Sequence, residues 1–254
     1  MTPVKLPLTI LYEDRDLIAV NKPPFMPTHP SHGHHDDTLA NALAYEFARR
    51  GEAFVFRPGG RLDRDTSGVV LTAKNKTAAC RFYEQHRAGT IRKEYLAVLT
   101  GRLEPETGRI DRPIRRADGS VIMRTTEEGD GGAPSLTEYR VLAYGTGPDG
   151  TPLSFVRANP VTGRTHQLRV HFASAGAPIL GDFLYGNGTG TAEACGEAWI
   201  ARQALHAARI SFPHPLTGER MTVCASLPED MRRLLRYFPD LDGNGLFDGS
   251  EGSS

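Results

Sequence analysis

Cysteine is scarce in this chain: Cys80, Cys195 and Cys224 are the three thiols among 254 residues. An odd number of widely spaced cysteines makes no disulfide framework and offers no CxxC zinc spacing, so buried or idle thiols are expected. Long apolar runs are missing too. No stretch approaches the roughly 18 consecutive apolar residues of a membrane span, and the N-terminus lacks the basic-then-apolar layout of an export signal. A cytoplasmic protein with no membrane partner is therefore expected. There is no internal repeat and no linker long enough to separate two domains. Nor is there net charge, since 30 basic residues balance 30 acidic ones, which at first argues against a polyanionic partner.

That balance hides an asymmetry. All Lys and Arg lie before Pro239, and four acids (Asp240, Asp242, Asp248, Glu251) lie after it, leaving residues 1–238 with a net charge of +4. A mildly basic body is compatible with RNA, because binding depends on local patches more than on total charge. The reading is one catalytic body over 1–238, with no separate N-terminal RNA-binding domain, and an acidic, disordered tail over 239–254. The tail segment from Asp240 to Glu251 fits the calcium-loop pattern D-x-[DN]-x-[DN]-G-x5-E. Pro239 interrupts its approach and only three residues follow Glu251, so no exiting helix can form, and calcium binding is the lesser alternative.

With 39% apolar and 24% charged residues the body can bury a large core. LTILYEDRDLIAVNK (8–22) holds two apolar runs around a polar turn, read as a hairpin closed by Pro23-Pro24. A helix capped near Asp36 or Asp37 runs through LANALAYEFARR to Gly51. GVVLTAK reads as a strand, KTAACRFYEQHRA as a helix between an Asn75 cap and Gly89, and IRKEYLAVLTG as a strand. From Arg109 to about Leu153 short strands alternate with Gly-rich breaks. RTHQLRVHFASAG has helical spacing, with Thr162 as a cap and Gly176 as a stop; ALHAARISF and MTVCASL flank a hairpin turn; PEDMRRLLRYF is a last short helix. Strands dominate and helices occur singly, so the fold class is α+β: a mixed, mainly antiparallel sheet with flanking helices and a central active-site cleft.

The densest chemistry is Gly60-Arg61-Leu62-Asp63-Arg64-Asp65-Thr66-Ser67-Gly68, two carboxylates, two guanidiniums and two hydroxyls before a buried strand. A tight turn that satisfies its own amides is the structural alternative. The segment resembles the HRLD-x-x-TSG motif of the RluA-type RNA pseudouridine synthases, with Gly60 where that family carries His. Further segments match in order: LYEDRDLIAVNKPPFMPTHP; Lys93-Glu94-Tyr95-Leu96-Ala97 on a K-x-Y-x-A strand; NPVTGRTHQLRVHFASAGAPILGDFLYG on a TGR-x-HQ-hydrophobic-R-x-H segment; and Ala204-Leu205-His206-Ala207 on an L-H-A strand. The resemblance covers nearly all of residues 8–228. It implies the isomerisation of uridine to pseudouridine, in which the N1–C1′ bond breaks, the uracil turns, C5 bonds to C1′ and the C5 proton leaves. No redox change is involved, and neither cofactor nor metal is expected.

The resemblance also implies roles. Asp63 is the catalytic carboxylate, acting as a nucleophile at C1′ or as a base that gives a glycal. Arg169 is its ion-pair partner, though a surface arginine would be the plainer reading of that position. Tyr95 offers an aromatic face for the base and a hydroxyl for proton removal at C5. Arg61, Leu62, Thr66, Arg164, His166 and Leu205 bind substrate, with Leu205 excluding water. Arg61, Arg64, Arg81, Arg87, Arg92, Lys93 and Arg164 are the candidates for holding phosphates. The target uridine must be flipped out or already lie in a loop. Ribosomal RNA is the first expected substrate and transfer RNA the second; target choice would come from loops such as Gly129–Ser135. A monomer is the default.

Two other function classes stay open at this point. Asp63-Arg64-Asp65-Thr66 also resembles the D-x-D-x-T pattern of magnesium-dependent phosphohydrolases, but the strand follows Asp63 instead of preceding it. A non-catalytic RNA-binding module would have no use for a carboxylate facing phosphates. The histidines at 29, 32, 34 and 35, and the pair His166 and His171, lack metal-ligand spacing.

Overall fold

The computed structural model describes residues 1–186 and 199–241. Cys195 and the calcium-loop pattern beyond Leu241 lie outside the described residues. Eleven strands are described: β1 (Thr9–Glu13), β2 (Leu17–Lys22), β3 (Ser67–Ala73), β4 (Arg92–Thr100), β5 (Thr107–Asp111), β6 (Arg115–Arg116), β7 (Arg124–Thr125), β8 (Leu136–Thr146), β9 (Pro152–Pro160), β10 (Leu205–Pro213) and β11 (Arg220–Cys224). The helices are α1 (Leu39–Arg49), α2 (Lys76–Arg87), α3 (Gln167–Ser174) and α4 (Glu229–Leu234), the last continued by a 3₁₀ turn. Nine strands form one sheet in the order β1-β2-β3-β10-β4-β9-β8-β5, with β11 on β10, while β6 and β7 make a separate hairpin. Only β3 with β10 is parallel among these pairs. None of the described helices is long and apolar enough to cross a membrane.

The apolar runs LIAV and GVVL are unbroken because both faces of β2 and β3 are covered. Leu17, Ala19, Val69 and Leu71 pack with Ala78 and Phe82 of α2 and Phe212 of β10. Ile18, Val20 and Val70 face Leu39, Leu43 and Phe47 of α1 on the other side. The largest core joins β4, β8 and β9 to Leu168 and Phe172 of α3 and to Met231 and Leu234 of α4.

The three central strands bring the motifs together. Ser67 and Gly68 pair with His206 and Ala207, and Ala207 pairs in turn with Tyr95. Gly68 has φ +118°, and a Cβ there would fall inside the backbone of Ala207, so glycine is required for this close pairing.

Two expected caps differ. α1 is capped by Thr38, not Asp36 or Asp37: the Thr38 hydroxyl accepts from the Asn41 N–H while the Asn41 side chain accepts from the Thr38 N–H. Thr162 does not cap α3. The residue before α3 is His166, in the left-handed region at φ 57° with no side-chain cap, and Thr162 instead donates its hydroxyl to Gln167 Oε1 at 2.8 Å. Cys80 and Cys224 are exposed thiols, not buried ones.

Candidate active site

A cleft of about 740 Å³ opens beside the central strands, lined by the loop at 59–66, the start of β4, the turn at 159–167 and Leu205. Asp63 lies on its wall, with its side chain 28% exposed. The loop that carries Asp63 is held from several sides. Thr28 donates to Leu62 O at 2.8 Å and accepts from Leu62 N. The buried ammonium of Lys22 donates to the carbonyls of Pro23, Met26 and Arg64. The buried guanidinium of Arg202 reaches Asp65 O at 3.0 Å while pairing with Asp230 of α4 at 2.7 Å. Gln203 donates to Thr66 Oγ1. A carboxylate fixed by this many partners is positioned to better precision than a free loop gives.

Arg169, on α3, meets Asp63 directly, with Nη1 at 3.3 Å from Oδ2. Its own side chain is 7% exposed, so the alternative of a surface arginine is ruled out. It is anchored from behind by Asp182, whose fully buried carboxylate accepts from Nε at 2.7 Å and from Nη2 at 2.8 Å. Asp182 also accepts from the backbone N–H groups of Leu184 and Tyr185. Burial works against the guanidinium charge, and the carboxylates of Asp182 and then Asp63 outweigh it, so the Arg169 pKa is raised. A cation with two carboxylates is thus locked one hydrogen bond from Asp63.

Tyr95 is buried, and desolvation, with the Asp63 charge second, pushes its phenol pKa up. It stays neutral at any physiological pH. Leu62, Tyr95 and Leu205 give the cleft an apolar patch beside the Asp63 carboxylate. His166 places Nε2 4.0 Å from Asp63 Oδ2 and bonds Tyr185 through Nδ1 at 2.8 Å. Burial lowers its pKa despite Asp63. The turn before α3 is shaped by Gln167, which accepts from Thr162 and Arg164 N and donates to Leu136 O and Thr137.

Such a site, a fixed carboxylate and a buried arginine beside an aromatic and a leucine in a nucleotide-sized cleft, matches the chemistry read from the motifs. The family model described as RNA pseudouridylate synthase matches residues 16–174. This chain belongs to that family. It is 37% identical over 231 residues to the RNA pseudouridine synthase YhcT of Bacillus subtilis, covering 91% of this chain and 72% of that one. It is 36% identical to the ribosomal large subunit pseudouridine synthase D of Zymomonas mobilis over 92% and 74% of the two chains. The solved structure of human RNA pseudouridylate synthase domain containing 1 superimposes with a TM-score of 0.70 at 33% identity, over 89% of this chain and 86% of that one. The protein is an RNA pseudouridine synthase of the RluA type with an α+β, mainly antiparallel fold, and neither the phosphohydrolase nor the pure binding module is favoured.

In this synthase all nine predicted site residues, Arg61, Leu62, Asp63, Thr66, Tyr95, Arg164, His166, Arg169 and Leu205, line the one cleft. Of the phosphate candidates, Arg81 and Arg87 do not: both lie on exposed faces of α2, Arg81 paired with Glu84 and Arg87 over the Tyr83 ring. His34 pairs with Asp37 at 2.6 Å. His171 points into the core, bonded to Thr137 and Arg112 O. Among the described residues one group could gather around a metal ion, Asp14, Asp16 and His214, away from the cleft.

Sequence reasoning missed Asp182, Tyr185, Lys22 and Arg202. Asp182 is the lone acid in the apolar stretch APILGDFLYG, and Lys22 is the one charge in the strand LIAVNK. A charge so placed is a signal of a buried pair or a buried cation, because an unpaired one would be too costly there.

Proposed function

We propose that this synthase isomerises uridine in ribosomal RNA, with Asp63 as the catalytic carboxylate, Arg169 as its charge partner, Tyr95 and Leu205 as walls of the uracil site, and Arg61, Leu62, Thr66, Arg164 and His166 as substrate contacts. The observation that carries this reading is the 3.3 Å approach of Arg169 to Asp63 beside Tyr95 and Leu205 in one cleft. A flipped uridine entering there has its C1′ near the carboxylate and its base between an aromatic and an aliphatic side chain.

Two routes use an ionised Asp63. In one, a carboxylate oxygen bonds to C1′ as the N1–C1′ pair leaves on the uracil; the base turns, C5 bonds to C1′, and the carboxylate departs. In the other, Asp63 removes the C2′ proton as the N1–C1′ bond breaks, giving a glycal and free uracil; C5 then bonds to C1′ as Asp63 returns the proton to C2′. Both end with loss of the C5 proton, for which the neutral Tyr95 hydroxyl serves as a relay. Leu62 and Leu205 keep water from C1′ while the base is detached. Ribosomal RNA as substrate is supported by relatives named for the large ribosomal subunit at 36% identity.

The test is to incubate the synthase, with EDTA and no cofactor, with total RNA from cells lacking its gene, and to map pseudouridine by carbodiimide-dependent primer-extension stops. New stops in large-subunit ribosomal RNA are expected. Stops confined to transfer RNA, or none in RNA shown to be unmodified, contradict the substrate assignment.

A further inference from the structure

The Gly60 position, where the resembled motif has histidine, carries more than a missing side chain. Gly60 has no left-handed backbone, so its conformation does not call for glycine. What glycine leaves there is space: a Cβ at this position would lie 2.5 Å from the Lys93 ammonium on β4, the far end of a flexible side chain, and would push it aside. Lys93 therefore occupies volume that any side chain at 60 would claim.

The Lys93 ammonium has no hydrogen-bond acceptor or carboxylate partner among the described residues, although burial disfavours its charge and lowers its pKa. The carboxylates lining the cleft are Asp63 and Glu138, and each is engaged elsewhere, Asp63 by Arg169 at 3.3 Å and Glu138 by Arg109 at 3.0 Å. Lys93 does not stand alone. Burial, then the positive charges of Lys93 and Arg164, depress the pKa of His86 at the end of α2. The His86 ring lies within about 4 Å of where a Cβ on Gly163 would be, next to Arg164. The Arg164 guanidinium meets a backbone carbonyl, that of Pro134 at 3.3 Å, and no acid among the described residues. Two cations, Lys93 and Arg164, beside an imidazole and with no free carboxylate among the described residues lining the cleft, are a site waiting for an anion.

We propose that Lys93, Arg164 and His86 form a phosphodiester subsite on one wall of the cleft, and that Gly60 is the specificity-determining position that leaves room for the Lys93 ammonium to take part. The subsite rests on the reading of RNA as substrate and adds to it which backbone group is gripped and by what. It holds a phosphate beside the flipped uridine.

The test uses anisotropy titrations of the full chain with fluorescein-labelled poly(U) of thirty nucleotides, from 50 to 200 mM salt. Each phosphate contact to a single strand contributes about 0.7 to the slope of log K against log salt. Lys93→Met is expected to lower the slope by about that amount, so that over this range it loses about threefold less affinity than wild type loses. Gly60→Ala keeps every charge but displaces the ammonium, and it is expected to lower the slope in the same direction. The double variant should match Lys93→Met alone. Arg81→Gln, outside the cleft, should leave the slope unchanged. Thermal midpoints close to wild type are expected throughout, since the Lys93 ammonium makes no hydrogen bond to the described residues. An unchanged slope in Lys93→Met overturns the subsite, an unchanged slope or strict additivity in Gly60→Ala overturns the role of position 60, and failure of the wild type to bind poly(U) sinks the RNA reading with it.

Discussion

Asp182→Asn perturbs the site without touching anything an RNA could reach. Asp182 is fully buried; Oδ1 accepts from Arg169 Nη2, Leu184 N and Tyr185 N, and Oδ2 accepts from Arg169 Nε. In the asparagine variant the oxygen takes the Oδ1 position, where three donors converge, and the NH₂ then faces the Arg169 Nε–H, donor against donor. Breaking a buried pair by removing one charge costs about 3–5 kcal/mol. For a domain of this size that is a fall in the thermal midpoint of roughly 10 °C. The activity change follows from the same charge. Asp63 becomes the one carboxylate left to the guanidinium among the described residues, and at an effective dielectric of about 20 their attraction at 3.3 Å is about 5 kcal/mol before allowing for the exposure of Asp63. If a third of that is added to the reactant state as Arg169 closes onto the carboxylate, the chemical step slows about fifteenfold. The assay is single-turnover tritium release from RNA carrying 5-tritiated uridine, run at least 15 °C below the variant's own midpoint, together with the concentration of RNA that gives half the maximal rate. A slower step with RNA affinity unchanged is expected. A variant that is destabilised yet as fast as wild type would refute the claim that Asp182 acts through Arg169 on Asp63.

Two further outcomes follow from the same geometry. Tyr95→Phe keeps the ring and the buried volume but loses the hydroxyl, so RNA affinity should hold while tritium release slows by about tenfold or more; because burial holds the phenol neutral, the wild-type rate should show no inflection from this group up to pH 10, and equal rates in the two proteins would remove the hydroxyl from the chemistry. His206 is fully buried, accepts from Ser67 through Nδ1 and donates Nε2–H to Ala225 O, and burial lowers its pKa to about 4. The unfolded chain binds the extra proton between about pH 6.5 and 4, so stability falls as pH falls through that window, by up to about 3 kcal/mol; urea midpoints at pH 7, 5.5 and 4 should drop less steeply for His206→Asn, and parallel curves would contradict this.

Local pattern carried a large part of the fold. The Asn75 cap with Gly89 bounds α2, and the alternation around EDRD and HPLTG marks two hairpins, because these depend on neighbours in sequence. α1 was legible except for its cap, since Asn41 at the third position replaces the Glu or Gln of the usual box. The strand order was not legible: the parallel contact of Ser67-Gly68 with His206-Ala207 joins segments about 140 residues apart, and nothing local specifies it. The site divides the same way. Asp63, Tyr95, Arg169 and Leu205 stand in motifs of recognisable type and spacing. The groups that fix them, Lys22, Asp182 and Arg202, act across the fold on backbone carbonyls or on another side chain, and such partners become visible only when the chain is closed.

The most direct measurement is tritium release by Asp63→Asn beside wild type, on 5-tritiated uridine RNA from cells lacking the gene, with EDTA present. Asparagine keeps the size and one acceptor oxygen but can neither attack C1′ nor take a proton from the ribose. The account predicts that release falls by on the order of a thousandfold or more, ~4 kcal/mol of barrier, with poly(U) binding retained. Release within about tenfold of wild type would contradict it, and would place the reacting group elsewhere in the cleft.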